Sequence, residues 1–385
     1  MGGASWVYTF RQASLDEIGR EESVTRMEGC AVRVMKFLLA FCVVAGGPAS
    51  SCQQPDFPDT HLNLGIALGL KGDLDGAIAE YRQALRLKPD FPEAHYDLGI
   101  ALKDKGDLNG AIAEYREALR LKPEDAKAHY NLGIALRDKG DLDGAIAEYR
   151  QALRLKPDFP ETHLNLGVAL RLKGDLDGAI AEYRQALSLK PDFPEAHDDL
   201  GSALRDKGDL NGAIAEYRET LRVKPDDAKA HYNLGIALRD KGDLDGAIAE
   251  YRQALRLKPD FPDTHLNLGV ALRHKGDLDG AIAEYRQALR LKPDYPEAHN
   301  DLGSGLREKG DLDGAIAECR QALRLKPDDA NAHFNLGVAL RFKGDLDGAI
   351  AEYRVALRLK PDFPGAQNNL AIALRLKGGG SGDHR

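Results

Sequence analysis

The motif G-D-L-[DN]-G-A-I-A-E begins at Gly72 and recurs at Gly106, Gly140, Gly174, Gly208, Gly242, Gly276, Gly310 and Gly344, always 34 residues apart. A fixed period of this length narrows the fold sharply. One supersecondary unit, unable to cover its own apolar face, stacks on copies of itself until a continuous core forms. Nine units run from Pro58 to Phe363 (58–91, 92–125 and onward to 330–363), with a capping half-unit at 364–377 and a glycine-rich flexible tail at 378–385. A chain of 385 residues would otherwise suggest two or three globular domains, and the repetition overrides that expectation. It also directs attention to a long binding face before any active site.

One unit explains itself physically. Numbering Pro92 to Asp125 as positions 1–34, His95, Leu98, Gly99 and Leu102 fall at 4, 7, 8 and 11. That i, i+3, i+4, i+7 spacing marks one face of an α-helix. Pro92 opens the helix, where its missing N–H costs nothing. Gly106 ends it, and Asp107 or Asn109 offers an oxygen to the free N–H groups of the next helix. The second helix carries Ala111, Ile112, Tyr115, Ala118, Leu119 and Leu121, and stops at Pro123. Arg120 and Lys122 in its last turn complement the helix dipole. The fold class expected is therefore all-α, a solenoid of helix hairpins.

Leu98-Gly99, Gly106, Ala111, Tyr115, Ala118 and Pro123 resemble the signature positions of the tetratricopeptide repeat (TPR), over residues 58–377. The resemblance implies a right-handed superhelix whose first helices line a concave groove for peptide segments of partner proteins. One departure is regular. Position 4, often Trp in that family, is His61, His95, His129, His163, His197, His231, His265, His299 and His333. Each helix supplies one such histidine without the i, i+4 partner that chelation from a helix uses, so packing on the core stripe is expected rather than metal binding.

Positions 2, 5, 6, 9, 12 and 13 form a second stripe, roughly opposite the core stripe at 100° per residue. Position 6 reads Asn63, Asp97, Asn131, Asn165, Asp199, Asn233, Asn267, Asp301, Asn335 and Asn369. A side-chain amide can pair with a peptide N–H and C=O together, so a ladder of them could hold an extended chain of any sequence. The pattern resembles the asparagine ladder in the TPR arm of O-linked N-acetylglucosamine transferases. It is confined to the ladder, since nothing in the sequence outside the repeats reads as a glycosyltransferase domain. Position 12 is basic: Lys103, Arg137, Arg171, Arg205, Arg239, Arg273, Arg307, Arg341 and Arg375. Such arginines suit carboxylates of an acidic segment, or pair with acids at position 13 such as Asp138, Asp206, Asp240 and Glu308. A chaperone-type carboxylate clamp would need Asn at position 9 and Lys at position 5 of the first repeat; Ile66 and Leu62 stand there instead.

The units also recur in threes. Units one, four and seven share T-H-L-N-L-G, while units two, five and eight place Asp97, Asp199 and Asp301 in the ladder. These acids would admit donors such as a ligand Lys or Arg. Unit eight has the weakest sequence, with Cys319 at the aromatic position 24 and Gly305 in a helix interior. Acids and histidines recur alike in every unit, and no position gathers a nucleophile, a base and an orienting group, so no catalytic residue and no cofactor is expected.

The net charge of −8 belongs to the repeats, because residues 1–52 balance five bases with five acids. A mildly acidic surface with dispersed bases argues against nucleic acid. Cys30, Cys42 and Cys52 precede the array and only Cys319 lies in it, which excludes a disulfide framework or a cysteine zinc site there. Residues 37–45 form a short apolar core after Arg33 and Lys36, followed by small residues up to Cys52. That is the layout of a secretory signal peptide over residues 35–52. Ala49-Ser50-Ser51-Cys52 loosely resembles a lipobox, with Cys52 the lipidated residue and cleavage after Ala49 the alternative. Residues 1–34 fit neither and suggest translation from Met35. The expected protein is an exported, envelope-tethered scaffold for peptide segments, or alternatively the recruiting arm of a separately encoded glycosyltransferase or assembly machinery. A cytoplasmic location follows if the signal is not used.

Overall fold

The computed structural model describes residues 57–379. The signal segment, Cys52 and the last tail residues lie outside them. Nineteen α-helices and no strands make up the described residues. They are α1 (Pro58–Leu70), α2 (Leu74–Leu87), α3 (Pro92–Asp104), α4 (Leu108–Leu121), α5 (Ala126–Lys139), α6 (Leu142–Leu155), α7 (Pro160–Leu172), α8 (Leu176–Leu189), α9 (Pro194–Asp206) and α10 (Leu210–Val223). There follow α11 (Ala228–Asp240), α12 (Leu244–Leu257), α13 (Pro262–His274), α14 (Leu278–Leu291), α15 (Pro296–Lys309), α16 (Leu312–Leu325), α17 (Ala330–Lys343), α18 (Leu346–Leu359) and α19 (Pro364–Gly379). The last helix passes the expected end at Lys377 by two residues.

The chain divides into two compact units, one ending at Leu98 and one beginning at Gly99. In the first, α1 packs on α2, and Phe91 is buried with Ala84 and Ala94 under Leu62 and Leu85. In the second, every helix from α5 to α18 packs on the helix before and the helix after it. Odd-numbered helices from α5 onward also touch the next odd-numbered one, the contact pattern of stacked hairpins.

Each hairpin is closed by the same parts. The glycine at position 15 adopts φ near +90°, for example +92° at Gly140, a conformation costly for any residue with a Cβ. The aspartate after it caps the second helix: Asp141 Oδ1 accepts from the Gly144 N–H at 2.9 Å. Of the two capping candidates at this turn, the position-16 aspartate is the one used, and Asp107 does the same for Gly110. The hairpin's two helices meet through Gly at position 8 and Tyr at position 24, with Cys319 in place of the ring in unit eight. A Cβ added at Gly235 would lie 2.6 Å from Tyr251 Cε1, so the ring occupies the space a side chain would need. Tyr251, Ala247 and Ala254 are fully buried and Ile248 and Leu234 nearly so. Burial of such side chains stabilises by roughly 1.5–3 kcal/mol for each large one.

First helices begin in two ways, a distinction the sequence reading missed. After units three, four, six and seven an aromatic–proline pair starts the helix with no side-chain cap, as at Phe159-Pro160. After units two, five and eight an aspartate caps it, with Asp125 Oδ1 accepting from the Lys127 and Ala128 N–H groups at 3.0 and 3.1 Å. Along the turn edge, Lys at position 14 pairs with Asp at position 18 of the preceding unit: Lys173–Asp143, Lys207–Asp177, Lys275–Asp245, Lys309–Asp279, Lys343–Asp313 and Lys377–Asp347. Asn109 and Asn211 interrupt the series, because an amide carries no charge to receive the lysine.

Candidate binding face

The position-6 side chains recur at one place on successive first helices, but their surroundings differ. Asn63 is exposed, while Asn131, Asn165, Asp199, Asn267, Asp301, Asn335 and Asn369 are half-buried and Asp97 and Asn233 are buried. The stripe is thus partly covered by the neighbouring repeat rather than turned wholly to solvent. Several amides are occupied there. Asn165 Nδ2 donates to the Tyr130 hydroxyl at 3.2 Å and to the Glu161 carbonyl at 2.8 Å, while its Oδ1 accepts from Arg137 Nη1 at 2.6 Å. Three repeats on, Asn267 repeats this with Tyr232, Asp263 and Arg239. Asn233 donates to Asp198 at 2.8 Å and Asn335 to Asn300 at 3.0 Å. Asn369 donates within its own helix to the Gly365 carbonyl at 2.8 Å, and Asn131 to that of Lys127 at 3.2 Å.

The acidic steps behave differently. Asp199 and Asp301 accept no hydrogen bond and form no ion pair within the described residues. Burial pushes both carboxyls above the ordinary value; the Asp198 charge adds to this at Asp199, while Arg171 and Arg273 pull back from a distance. Their anionic forms are therefore short of donors.

Position 12 divides its arginines among neighbours. Arg137 and Arg239 hold both the next amide and the adjacent acid, Asp138 or Asp240, at 2.9 Å. Arg171 reaches Asp206 of the following unit at 3.1 Å, Arg205 approaches the same acid at 3.8 Å, and Arg307 pairs with Glu308 at 3.2 Å. Arg341 lies over the exposed Phe342 ring, 4.6 Å from its centroid. Arg273 closes on no acid within ion-pair distance among the described residues. Charge pairing along this face is thus real for most steps and, among the described residues, absent at 273, 341 and 375.

The position-4 histidines lie along the core stripe, with His163, His197 and His265 buried and the others half-buried. In units three to nine each lies beside the glutamate at position 23 of its own hairpin, 2.6–2.7 Å from Nδ1 to Oε2. The 19-residue separation of these partners gives no periodic signal in the sequence. Among the described residues no three His, Cys, Asp or Glu side chains gather closely enough to share a metal ion, and no helix is long and apolar enough to cross a membrane.

Tetratricopeptide-repeat family models match residues 96–158, 130–194, 199–262, 242–296 and 300–364, and a further TPR model matches residues 70–106. The chain belongs to the tetratricopeptide repeat family. Among solved structures, the TPR chain is similar to one in the APC/C hetero-tetramer Cut9-Hcn1, at 19% identity over 83% of this chain and 67% of that one, TM-score 0.53. A tetratricopeptide repeat protein from Parabacteroides merdae matches at 17% identity over 65% and 98%, TM-score 0.53. MamA matches at 30% identity over 43% and 97%, TM-score 0.41. The first two likenesses speak for the TPR fold alone, and the third superposes too loosely to carry an argument. No curated protein matches significantly.

Proposed function

We propose that this TPR array is a non-catalytic scaffold that holds extended protein segments along the face of its first helices. The observation that carries the reading is the pair of unspent carboxylates, Asp199 and Asp301, set 102 residues apart on a face where neighbouring amides are already held in place. A half-buried anion without donors costs free energy, and a ligand supplying peptide N–H groups or a Lys or Arg side chain reduces that cost. The amides at 165 and 267, fixed by their neighbours, act as spacers that keep the acceptors in register. The position-12 arginines, Arg273 foremost, would take carboxylates of the same segment.

The proposed setting is the cell envelope, with residues 35–52 as export signal and Cys52 as lipid anchor. Labelling with a fatty-acid analogue and N-terminal sequencing test this. An unlabelled protein still beginning at Met1 overturns it. The binding reading is tested by titrating the array with arrayed extended peptides, with and without lysine. Asp199→Asn together with Asp301→Asn should weaken lysine-containing peptides about tenfold or more per lost charge-assisted bond. Unchanged affinity and unchanged salt dependence in that variant refute it.

A further inference from the structure

Each repeat boundary from unit three to unit nine carries one arrangement that the binding face does not use. His129 Nδ1 lies 2.6 Å from Glu148 Oε2, and its Nε2 lies 3.0 Å from the carbonyl oxygen of Pro123, at position 32 of the preceding unit. The same two contacts recur at the other six histidines, with the carbonyl at 2.9–3.1 Å. A carbonyl oxygen only accepts, and so does a carboxylate. A neutral imidazole has one N–H and cannot serve both. The bridge closes only with one added proton, held as imidazolium between two acceptors or as a carboxylic acid donating to the ring. The proton count is the same in either form.

We propose that these His–Glu pairs are proton-operated clasps between successive repeats, closed at mildly acidic pH and released along the array as the pH rises. The direction of release follows from charge. When one proton leaves, the remaining N–H stays with the carboxylate, where the hydrogen bond is charge-assisted. The Nε2 lone pair then faces the proline carbonyl, so the bond that fails is the one crossing the repeat boundary.

The surroundings are acidic. Glu148 on α6 and Asp125 at the helix entry face His129, with the Pro123 carbonyl from the preceding unit. Burial pulls its pKa down, but the Glu148 and Pro123 bonds outweigh this and leave it raised. Glu216 and Glu219 on α10 face His197, and there the Glu216 bond is the largest influence, again upward. A histidine whose pKa is higher folded than unfolded stabilises the fold fully below about 6.5 and loses that contribution as pH rises through the folded value.

The molecule supplies its own control. The half-unit carries Gln367 at position 4, and its Nε2 donates to the Pro361 carbonyl at 3.1 Å. This is the cross-boundary bond made by a group that does not titrate. Replacing the seven histidines by glutamine in the full chain should therefore keep the bond and remove its pH dependence. Hydrogen exchange at the repeat boundaries, corrected for intrinsic rates, should increase about 2- to 10-fold in the wild type between pH 6 and pH 9. The glutamine variant should stay flat. If the sevenfold variant does not fold, His197→Gln alone, read at the boundary between units four and five, decides. Equal pH dependence in wild type and variant overturns the proposal, as do C2 protons of His129 and His197 that titrate at or below 6.5.

Discussion

Unit eight, residues 296–329, offers the sharpest test of how local stability is in this array. Two substitutions return it to the pattern of its neighbours, Gly305→Ala and Cys319→Tyr. At Gly305 an added Cβ would meet Ile282 Cγ1 at 3.3 Å and the Tyr285 ring no closer than 3.7 Å, a fit that needs only a small adjustment. Every other full unit has Ala there, and helix propensity favours it by about 1 kcal/mol. At position 24 a fully buried ring, such as Tyr285, gives way to the Cys319 thiol. Lost packing of that size costs about 2–4 kcal/mol. Together the two changes leave unit eight about 3–5 kcal/mol weaker, so its opening equilibrium is roughly 10²–10⁴ times larger. Because each repeat contacts only its neighbours, the deficit stays local.

Hydrogen exchange followed by mass spectrometry on the intact chain should show peptides from 296–329 exchanging at least 10²-fold faster than those from unit five, 194–227. Cys319 reports the same event independently. Burial pushes its thiol up to about 12, and it is 1% exposed, so alkylation must wait for opening. Its alkylation rate should track exchange, and Gly305→Ala should slow both about fivefold. Cys319→Tyr should bring protection near that of unit five. Uniform protection across the array, or a restored ring that leaves 296–329 unchanged, refutes the reasoning.

Further expectations concern buried polar groups. The Tyr251 hydroxyl is buried without a hydrogen-bond partner, whereas that of Tyr217 lies 3.1 Å from Ser202 Oγ. Tyr251→Phe should therefore be neutral or stabilising by about 1 kcal/mol in thermal melts, and Tyr217→Phe destabilising by about as much; equal effects would contradict the assignment. Asp199 and Asp301 have carboxyls raised by burial, so their protonated forms favour the fold and that contribution fades as pH climbs from about 3.9 through the folded values. Asp199→Asn with Asp301→Asn should make the ligand-free array more stable above pH 6 and little changed at pH 3. A loss of stability at neutral pH would mean that these carboxylates have partners after all.

The fold was legible because its instructions are local. Pro92, Gly106, Asp107 and Tyr115 act through the helix they start, end, cap or cover, and each structural role follows from a spacing of a few residues. The candidate face was legible in composition but not in its state. The partners of Asn165 and Asn233 lie up to 35 residues away on the previous first helix, and whether side chains meet there depends on how one hairpin is rotated on the next. The histidines show the same limit. Their apolar-stripe spacing places them at the core, but the glutamate of the second helix that each meets does not follow from that spacing.

The interrupted row of Lys–Asp pairs along the turn edge gives the array a mechanical character. Along this edge most boundaries carry such an ion pair, worth about 0–1 kcal/mol, but those at Asn109 and Asn211 do not, and units five and six are tied instead on the first helices by Lys229 and Asp198 at 2.9 Å. The turn edge is therefore unfastened at two boundaries three repeats apart. Drawn around a partner, the turn edge opens first at those two joints, 102 residues apart. High salt, by screening the fastened joints, evens out this edge.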